Sequence, residues 1–467
     1  MPLLLSLSEE GSTEMLANLF INKESIKNDS LIHFPERRIT LLQIEEAISE
    51  LMVLSDFVPL RVALATHAAN FLNQIPLWTM ITAPPSSGKT EILGCFYNLP
   101  HVQVVSDITK SSLLSGTSQK DHAKNKTGGL LLKIGKFGFL VFKDLTTSLA
   151  KNRDAEAEIF AALREIYDGD YSRHFGTDGG TEKEWHGRLG VIAAVTSEIE
   201  KHRTMFSTLG DRFLTVRIYS DDDECMEQSF KALESSGSEH RIRRELQELT
   251  ASLFQDMEPD TDLSKPFLFY IHKHIAPLAA FVASCRTPVE RSGYKRDIEF
   301  IHTTEGYARL TKQLYGLFCG CVSIGCSLAE AWCVTVRVAL DSIPEQRGQV
   351  LEAILDHEAG SATGTFTLEG LRTETRLPKT ANERIVEDLY SVKVLDCTFG
   401  RGSSPSVFWV SSRMREYIDA FSIVPVEPVC NPEIRQDNTP TNSHPEIRDY
   451  KSDEAGISDG EGVDHVA

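Results

Sequence analysis

The 467-residue chain has no excess of positive charge: 67 Asp and Glu stand against 48 Lys and Arg, a formal net charge of −19. This excludes a globally basic nucleic-acid coat protein. Any nucleic-acid contact must come from a local basic surface on an acidic body. Long hydrophobic runs are missing too. The longest uncharged run, Gln313 to Ala329, is too short to span a bilayer and is interrupted by Gly and Ser. The opening MPLLLSLSEEG lacks a basic stretch before its Leu cluster and meets Glu9 and Glu10 at once, so it does not read as a secretory signal. The nine cysteines form no CxxC pair, and an odd number without an export signal reads as reduced thiols in a cytoplasmic protein. With 41% hydrophobic and 25% charged residues, a wholly disordered chain is also excluded.

What is present is a set of short apolar runs at wide intervals. Leu77 to Ala83, Val102 to Asp107, Phe137 to Asp144, Gly190 to Ser197 and Phe213 to Ile218 each read as a buried strand. Helical patterns lie between most of them and also run from Leu41 to Leu72. Buried strands alternating with helices predict an α/β fold with a parallel sheet covered on both faces. After Asp221 the pattern is helical at 223–236, 239–257, 266–284, 303–325 and 327–341, with no strand expected before about Val392. The expected organisation is a loose N-terminus (1–40), an α/β core (41–222), a helical lid (223–341), a small domain (342–420) and a tail (421–467). The tail holds ten acids and three bases among Pro, Asn and Ser, and reads as disordered on composition. The body stays acidic without it.

The strongest chemical signal is APPSSGKT: Ala83, Pro84, Pro85, Ser86, Ser87, Gly88, Lys89 and Thr90. It follows a strand and opens a helix, the context in which backbone N–H groups cradle phosphates. Lys89 would reach the terminal phosphates of ATP, and the Thr90 hydroxyl would hold Mg²⁺. The run FGFLVFKD ends in Asp144, placed to orient Mg²⁺. Many such ATPases carry Glu directly after this Asp, whereas here Leu145, Thr146 and Thr147 follow. Either Asp144 serves as metal carboxylate and base together, or Lys143 and Asp144 take the two slots, or a carboxylate such as Asp107 supplies the base. Slow or partner-dependent hydrolysis follows from that departure.

The order of strands and motifs resembles the AAA+ superfamily. Ala161 to Arg188 followed by GVIAAVTS is similar to the helix, hairpin and strand of minichromosome-maintenance helicases and enhancer-binding transcription activators. The resemblance covers roughly 57–340. It implies that Thr196 is the sensor 1 residue. It implies that Arg212, in STLGDRFLTVRI, is the arginine finger reaching a neighbour's ATP, with Arg203 as fallback. It implies that Arg309, near the start of TTEGYARLTKQLYGL, folds back on the nucleotide as sensor 2. It also implies a homo-oligomeric ring, such as a hexamer.

Two segments offer nucleic-acid surfaces. The expected hairpin carries Arg173, His174, Lys183, His186 and Arg188 with Tyr171, Phe175 and Trp185, a mixture that suits a single-stranded backbone and stacked bases. Asp168, Asp170, Asp178, Glu182 and Glu184 stand among them. Residues 343–418 look like a winged helix whose third helix, KTANERIVEDLYSV, and wing would bring Lys379, Arg384 and Arg401 to DNA phosphates. Glu383, Glu387 and Asp388 on that helix would repel DNA, which leaves protein docking open. Cys319, Cys321, Cys326 and Cys333 read as packed helix, and RIRREL (Arg241 to Leu246) as a solvated helix face. Together these readings predict a Mg²⁺-dependent ATPase acting as a ring-forming, helicase-like DNA motor. The alternative is a slow ATP-dependent switch or scaffold acting on protein partners.

Overall fold

The computed structural model describes residues 39–422, apart from 116–128, 147–152, 176–180, 203–210, 260, 262–264, 295, 361–364 and 401–404. The N-terminal segment, the acidic tail, Arg203, Thr147, Asp178 and Arg401 lie outside the described residues. The description concerns the first of two units, Met1–Val426.

Two helices open it, α1 (Leu41–Ser49) and α2 (Val58–Phe71). The expected continuous pattern is broken at 50–57. Asp56 Oδ1 accepts the Val58 N–H at 2.7 Å and Pro59 occupies the first turn of α2, both of which favour a fresh helix start there. There follow β1 (Trp78–Thr82), α3 (Lys89–Gly94), β2 (Val102–Val105), α4 (Lys110–Leu113), α5 (Leu130–Ile134) and β3 (Phe137–Phe142). Next are α6 (Arg153–Asp168), the hairpin β4 (Asp170–Phe175) and β5 (Thr181–His186), β6 (Arg188–Val195) and β7 (Phe213–Arg217).

Five of these strands form one parallel sheet in the order β2-β3-β6-β1-β7. All five expected strands are present, each within a residue or two of its expected bounds. Their period-two alternation divides the side chains between two layers. Leu140, Phe142, Val191, Ala193, Trp78 and Met80 pack with Ile159, Leu163 and Ile166 of α6. Phe139, Val141, Ile192, Ala194, Ile81 and Leu214 face the larger cluster that contains α2 and the later helices.

That helical layer comprises α7 (Asp222–Glu234), α8 (Glu239–Phe254), α9 (Lys265–Cys285), α10 (Ala308–Ile324) and α11 (Leu328–Asp341). Helix α10 lies along α2 so closely that a Cβ on Gly320 would fall 2.3 Å from the Ala65 carbonyl oxygen. Only glycine allows that backbone approach. Cys319, Cys321 and Cys326 are buried thiols there, and Cys333 is half-buried. Between α9 and α10 stands an antiparallel hairpin, β8 (Val289–Arg291) and β9 (Ile298–Ile301). The expectation of no strand before Val392 is corrected at this point. The hairpin is short and largely exposed, so no apolar alternation marks it in the sequence.

The chain continues with α12 (Glu345–Gly360), β10 (Phe366–Thr367), α13 (Leu368–Thr375), α14 (Lys379–Ser391), β11 (Leu395–Thr398), β12 (Val407–Val410) and α15 (Ser412–Phe421). Strands β10, β12 and β11 form a small antiparallel sheet in that order. Helix α15 packs back on α9, where His274 Nδ1 meets the Ala420 carbonyl at 2.7 Å and Phe421 meets Phe281. Among the described residues no helix is long and apolar enough to cross a membrane.

Candidate functional site

Strand β1 points its carboxyl end at the loop Ala83–Gly88. The loop is tied to the neighbouring strands: Ala83 N–H bonds to the Val195 carbonyl at 3.2 Å, and Ile218 N–H bonds to the Thr82 carbonyl at 3.0 Å. In parallel α/β sheets this carboxyl edge is where ligands bind. Gly88 has φ +78° and lies against Met52, which follows α1. Lys89 Nζ donates to the Ala83 carbonyl at 2.6 Å and to the Pro84 carbonyl, so the loop's own backbone holds the ammonium. Burial lowers the pKa of Lys89, and the nearby Asp144 carboxylate opposes that shift. Lys89 and Asp144 therefore lie within electrostatic reach of each other. Thr90 is exposed at the start of α3, which ends at Gly94, earlier than the expected helix through Leu99.

Asp144 follows β3 and is half-buried; its Oδ1 accepts the Thr146 N–H at 3.0 Å. Thr146 Oγ1 accepts the Thr196 N–H at 2.9 Å, so the ends of β3 and β6 are locked side by side. Leu145 is fully buried, so the position after Asp144 turns into the core. The Lys143 ammonium lies over the Tyr97 ring, 5.3 Å from its centroid. Asp107 is exposed beyond β2.

A cleft of about 270 Å³ opens above the loop. Ser86, Lys89 and Thr90 form its floor, Gln228 and Ser235 at α7 one wall, and Glu239 and Arg243 of α8 another. Arg243 pairs with Glu91 through two hydrogen bonds of 2.8 and 2.9 Å. On sequence, Arg243 belongs with its neighbours in RIRREL on a solvated helix face. Arg241 and Arg244 do lie on such a face with Glu245 and Glu248, but Arg243 reaches the cleft. Nothing local in RIRREL separates the three. Only the packing of α8 against α1 turns one of them inward.

Arg212 and Arg309 are elsewhere. Arg212 immediately precedes Phe213, which is in register with Trp78 at the start of β1. It therefore sits at the amino edge of the sheet, a strand's length from the loop, roughly 13 Å or more. There Arg212 is buried, pairs with Asp168 at 3.3 Å and covers the Tyr167 ring. Arg309 is its electrostatic neighbour: burial first, and then the Arg309 charge, lower the Arg212 pKa. Both arginines act electrostatically on Tyr167, which lies edge-on against Trp78. Within one chain neither arginine reaches the phosphate loop.

The expected hairpin forms as β4–β5, but most of its bases are used internally. Arg173 donates to the Lys110 and Leu114 carbonyls at 2.8 and 3.1 Å, Lys183 to Ser115 at 2.7 Å, and Arg188 to Leu72. Tyr171 and Trp185 are buried, and the Trp185 indole N–H bonds to the Gly135 carbonyl at 2.6 Å. His174 is exposed beside Glu182, and His186 is raised in pKa by hydrogen bonds to Asp170 and Glu184. In the small domain the acids of α14 are met by bases of this same chain: Arg291 of β8 holds Asp388 at 2.6 Å and Glu387 at 2.9 Å, Arg347 holds Asp388 at 3.2 Å, and Lys379 stands 3.9 Å from Glu383. Lys379 and Arg384 are exposed.

No family model matches the chain, and no curated protein matches it. Two solved A-form apo structures of the NrS-1 C-terminal region are similar to it at 10% identity, with TM-scores of 0.29 and 0.22, each covering 81% of this chain and 77% of that one. At these scores the likeness carries no weight for fold or function.

Proposed function

We propose that the chain is an AAA+-type ATPase that binds ATP at the Ala83–Thr90 loop and hydrolyses it between copies of itself, with a winged helix at 342–420. One observation carries the reading: Lys89, on a loop that the sequence pattern assigns to phosphate, and Asp144, after β3 of the same sheet, lie within electrostatic reach of each other at the carboxyl edge of a parallel sheet. Lys89, and Arg243 from the cleft wall, would neutralise phosphate oxygens. Water would attack the γ-phosphorus as the bond to the bridging oxygen breaks, with a carboxylate taking the proton and Asp144 the candidate. The Thr90 hydroxyl and the Asp144 carboxylate are hard oxygen donors that suit Mg²⁺, which would supply charge neutralisation at the phosphates. Arg309, half-buried on the opposite edge, suits service to a neighbour's nucleotide, whereas Arg212 is buried there against Asp168 and Tyr167.

The working substrate in this reading is DNA, met through Lys379 and Arg384 of the winged helix and the exposed His174 of the β4–β5 hairpin. Buried Leu145 favours the second reading, a slow ATP-dependent switch, because no carboxylate stands beside Asp144 in sequence to serve as a dedicated base. Steady-state turnover tests both. Asp144→Asn should abolish ATP hydrolysis and keep nucleotide binding; unchanged turnover rejects the site. Stimulation by single- or double-stranded DNA supports the motor, and a well-formed oligomer without stimulation supports the switch.

A further inference from the structure

We infer that Glu91 is a built-in competitor for the phosphates of the cleft: it holds the Arg243 guanidinium and so sets how tightly the site binds a nucleotide. The inference rests on the proposed reading, in which Lys89 and Arg243 meet the phosphates.

Glu91 stands in the first turn of α3, directly after Thr90. Such a place favours an acid on helix-dipole grounds alone. Here the carboxylate does more. Arg243 donates from Nε to Glu91 Oε2 at 2.9 Å and from Nη2 to Oε1 at 2.8 Å. This two-point pairing of a guanidinium with an oxyanion is also how arginine holds phosphate. Glu91 therefore occupies two of the donors that Arg243 would turn to a phosphate. Both residues line the cleft, together with Lys89 and Thr90. The Glu91 side chain is 21% exposed and that of Arg243 49%, so water and salt screen the pair only in part.

The other cation of the site also has acceptors within the chain. Lys89 Nζ donates to the Ala83 and Pro84 carbonyls. Those acceptors are neutral and hold the ammonium about half as strongly as a carboxylate would. Glu91 is a full charge. A phosphate that meets Arg243 must either displace Glu91 or share the guanidinium with it. In both cases the carboxylate lowers the affinity, by taking the donors or by neutralising the cation. Glu239, one turn before Arg243 on α8, lines the same cleft; it acts on Arg243 by charge alone and less than Glu91 does. Removing either acid changes the charge of the cleft by one, but only Glu91 holds the donors. The pair is not what seats α8 on α3. Gln247, one turn after Arg243, donates to the Gly94 carbonyl at 3.3 Å and accepts from Asn98 at 3.0 Å, and Ile242 and Leu246 lie in the core. Release of Arg243 from Glu91 thus leaves the helix in place.

The test is titration calorimetry of the full chain with Mg²⁺ and a non-hydrolysable ATP analogue. The variants are Glu91→Gln, Glu239→Gln, Arg243→Ala, and Glu91→Gln combined with Arg243→Ala. Thermal melts without nucleotide come first; loss of a half-exposed ion pair should move the Glu91→Gln midpoint by no more than about 2 °C. Glu91→Gln should tighten binding about tenfold, the worth of one hydrogen bond to a charged group. Glu239→Gln should tighten it less. With Arg243→Ala present, Glu91→Gln should gain no more than Glu239→Gln gains in the wild type. The inference is overturned if Glu91→Gln binds no tighter than the wild type, if Glu239→Gln matches its gain, or if the full gain survives without Arg243. Weaker binding by Glu91→Gln would make the carboxylate a support that orients Arg243, and a Glu91→Gln chain without a cooperative melt would make it a structural clamp; both reject competition. The underlying reading fails in a different way. If neither the wild type nor Glu91→Gln binds the analogue, the nucleotide reading falls and takes the inference with it. Saturable binding with the wrong order of affinities sinks the inference alone.

Discussion

Gly88→Ala isolates the feature that makes the phosphate loop. Two costs arise there, and they can be separated. The residue holds φ +78°, and a left-handed conformation costs an L-residue about 1–2 kcal/mol. The new methyl would also fall 2.0 Å from Met52 Cε and 2.8 Å from its Sδ, so the Met52 side chain must swing away. Met52 is buried and flexible, so the second cost is a repacking cost of about 1–3 kcal/mol rather than an absolute block. The sum is a loss of roughly 2–5 kcal/mol. The unit Met1–Val426 is larger than the domains of about 150–250 residues in which each kcal/mol moves the melting midpoint by about 2–4 °C, so here each moves it by about 2 °C or less. The assay is a thermal melt with and without a non-hydrolysable ATP analogue. A ligand at 100 times its Kd adds about 2.7 kcal/mol to the wild type. Gly88→Ala should lower the midpoint and lose that ligand-dependent rise. Adding Met52→Ala should restore the steric part alone and leave binding impaired, because the backbone strain remains. A Gly88→Ala protein with the wild-type midpoint and the wild-type ligand shift would refute the reasoning.

Three further outcomes are expected. Asp341 is fully buried and holds Arg337 at 3.1 Å and the Arg217 N–H at 2.9 Å, so Asp341→Ala leaves the buried Arg337 with only Asp56, at 3.7 Å, and the Arg217 N–H unpaired, and should cost about 3 kcal/mol in a urea melt; a loss below ~1 kcal/mol would contradict it. His67 sits among Phe71, Phe96, Phe139 and Phe254, and burial drops its pKa to about 3, so the folded state resists its protonation. Its contribution is complete above about pH 6.5 and is lost as pH falls toward 3. Between pH 7 and 5 this amounts to about 2 kcal/mol, which His67→Leu should remove from the wild-type decline; equal declines in both proteins would count against it. Arg243→Ala should weaken ATP-analogue binding about tenfold or more, by loss of one charge-assisted contact, while Arg244→Ala should leave it unchanged. Titration calorimetry giving equal affinities for the two variants would remove Arg243 from the site.

The five buried strands and the phosphate loop were legible because their signals are local. A parallel strand covered on both faces must be apolar along its whole length, and APPSSGKT is a contiguous pattern. Asp144 was legible for the same reason, as the first acid after such a strand. The β8–β9 hairpin was not, because Val289–Arg291 and Ile298–Ile301 are short and exposed and need no apolar alternation. The basic residues of the β4–β5 hairpin suggested a binding surface. Their partners, the carbonyls of Lys110, Leu114 and Ser115, lie about sixty residues away and cannot be paired with them from local pattern.

The arginines divide most sharply along that line. Sequence alone determined that arginines stand at 212, 243 and 309, and that each belongs to a segment flanking the expected core. Their places were decided by long-range geometry. Parallel register puts Arg212 at the amino edge with Trp78, and the start of α10 brings Arg309 within electrostatic reach of it and of Tyr167. The packing of α8 on α1 swings Arg243 into the cleft above Lys89. A local pattern specifies whether a segment is strand or helix because burial is written into its own side chains. Which edge of a sheet a charge occupies depends on residues a hundred positions away, so only the tertiary structure assigns it.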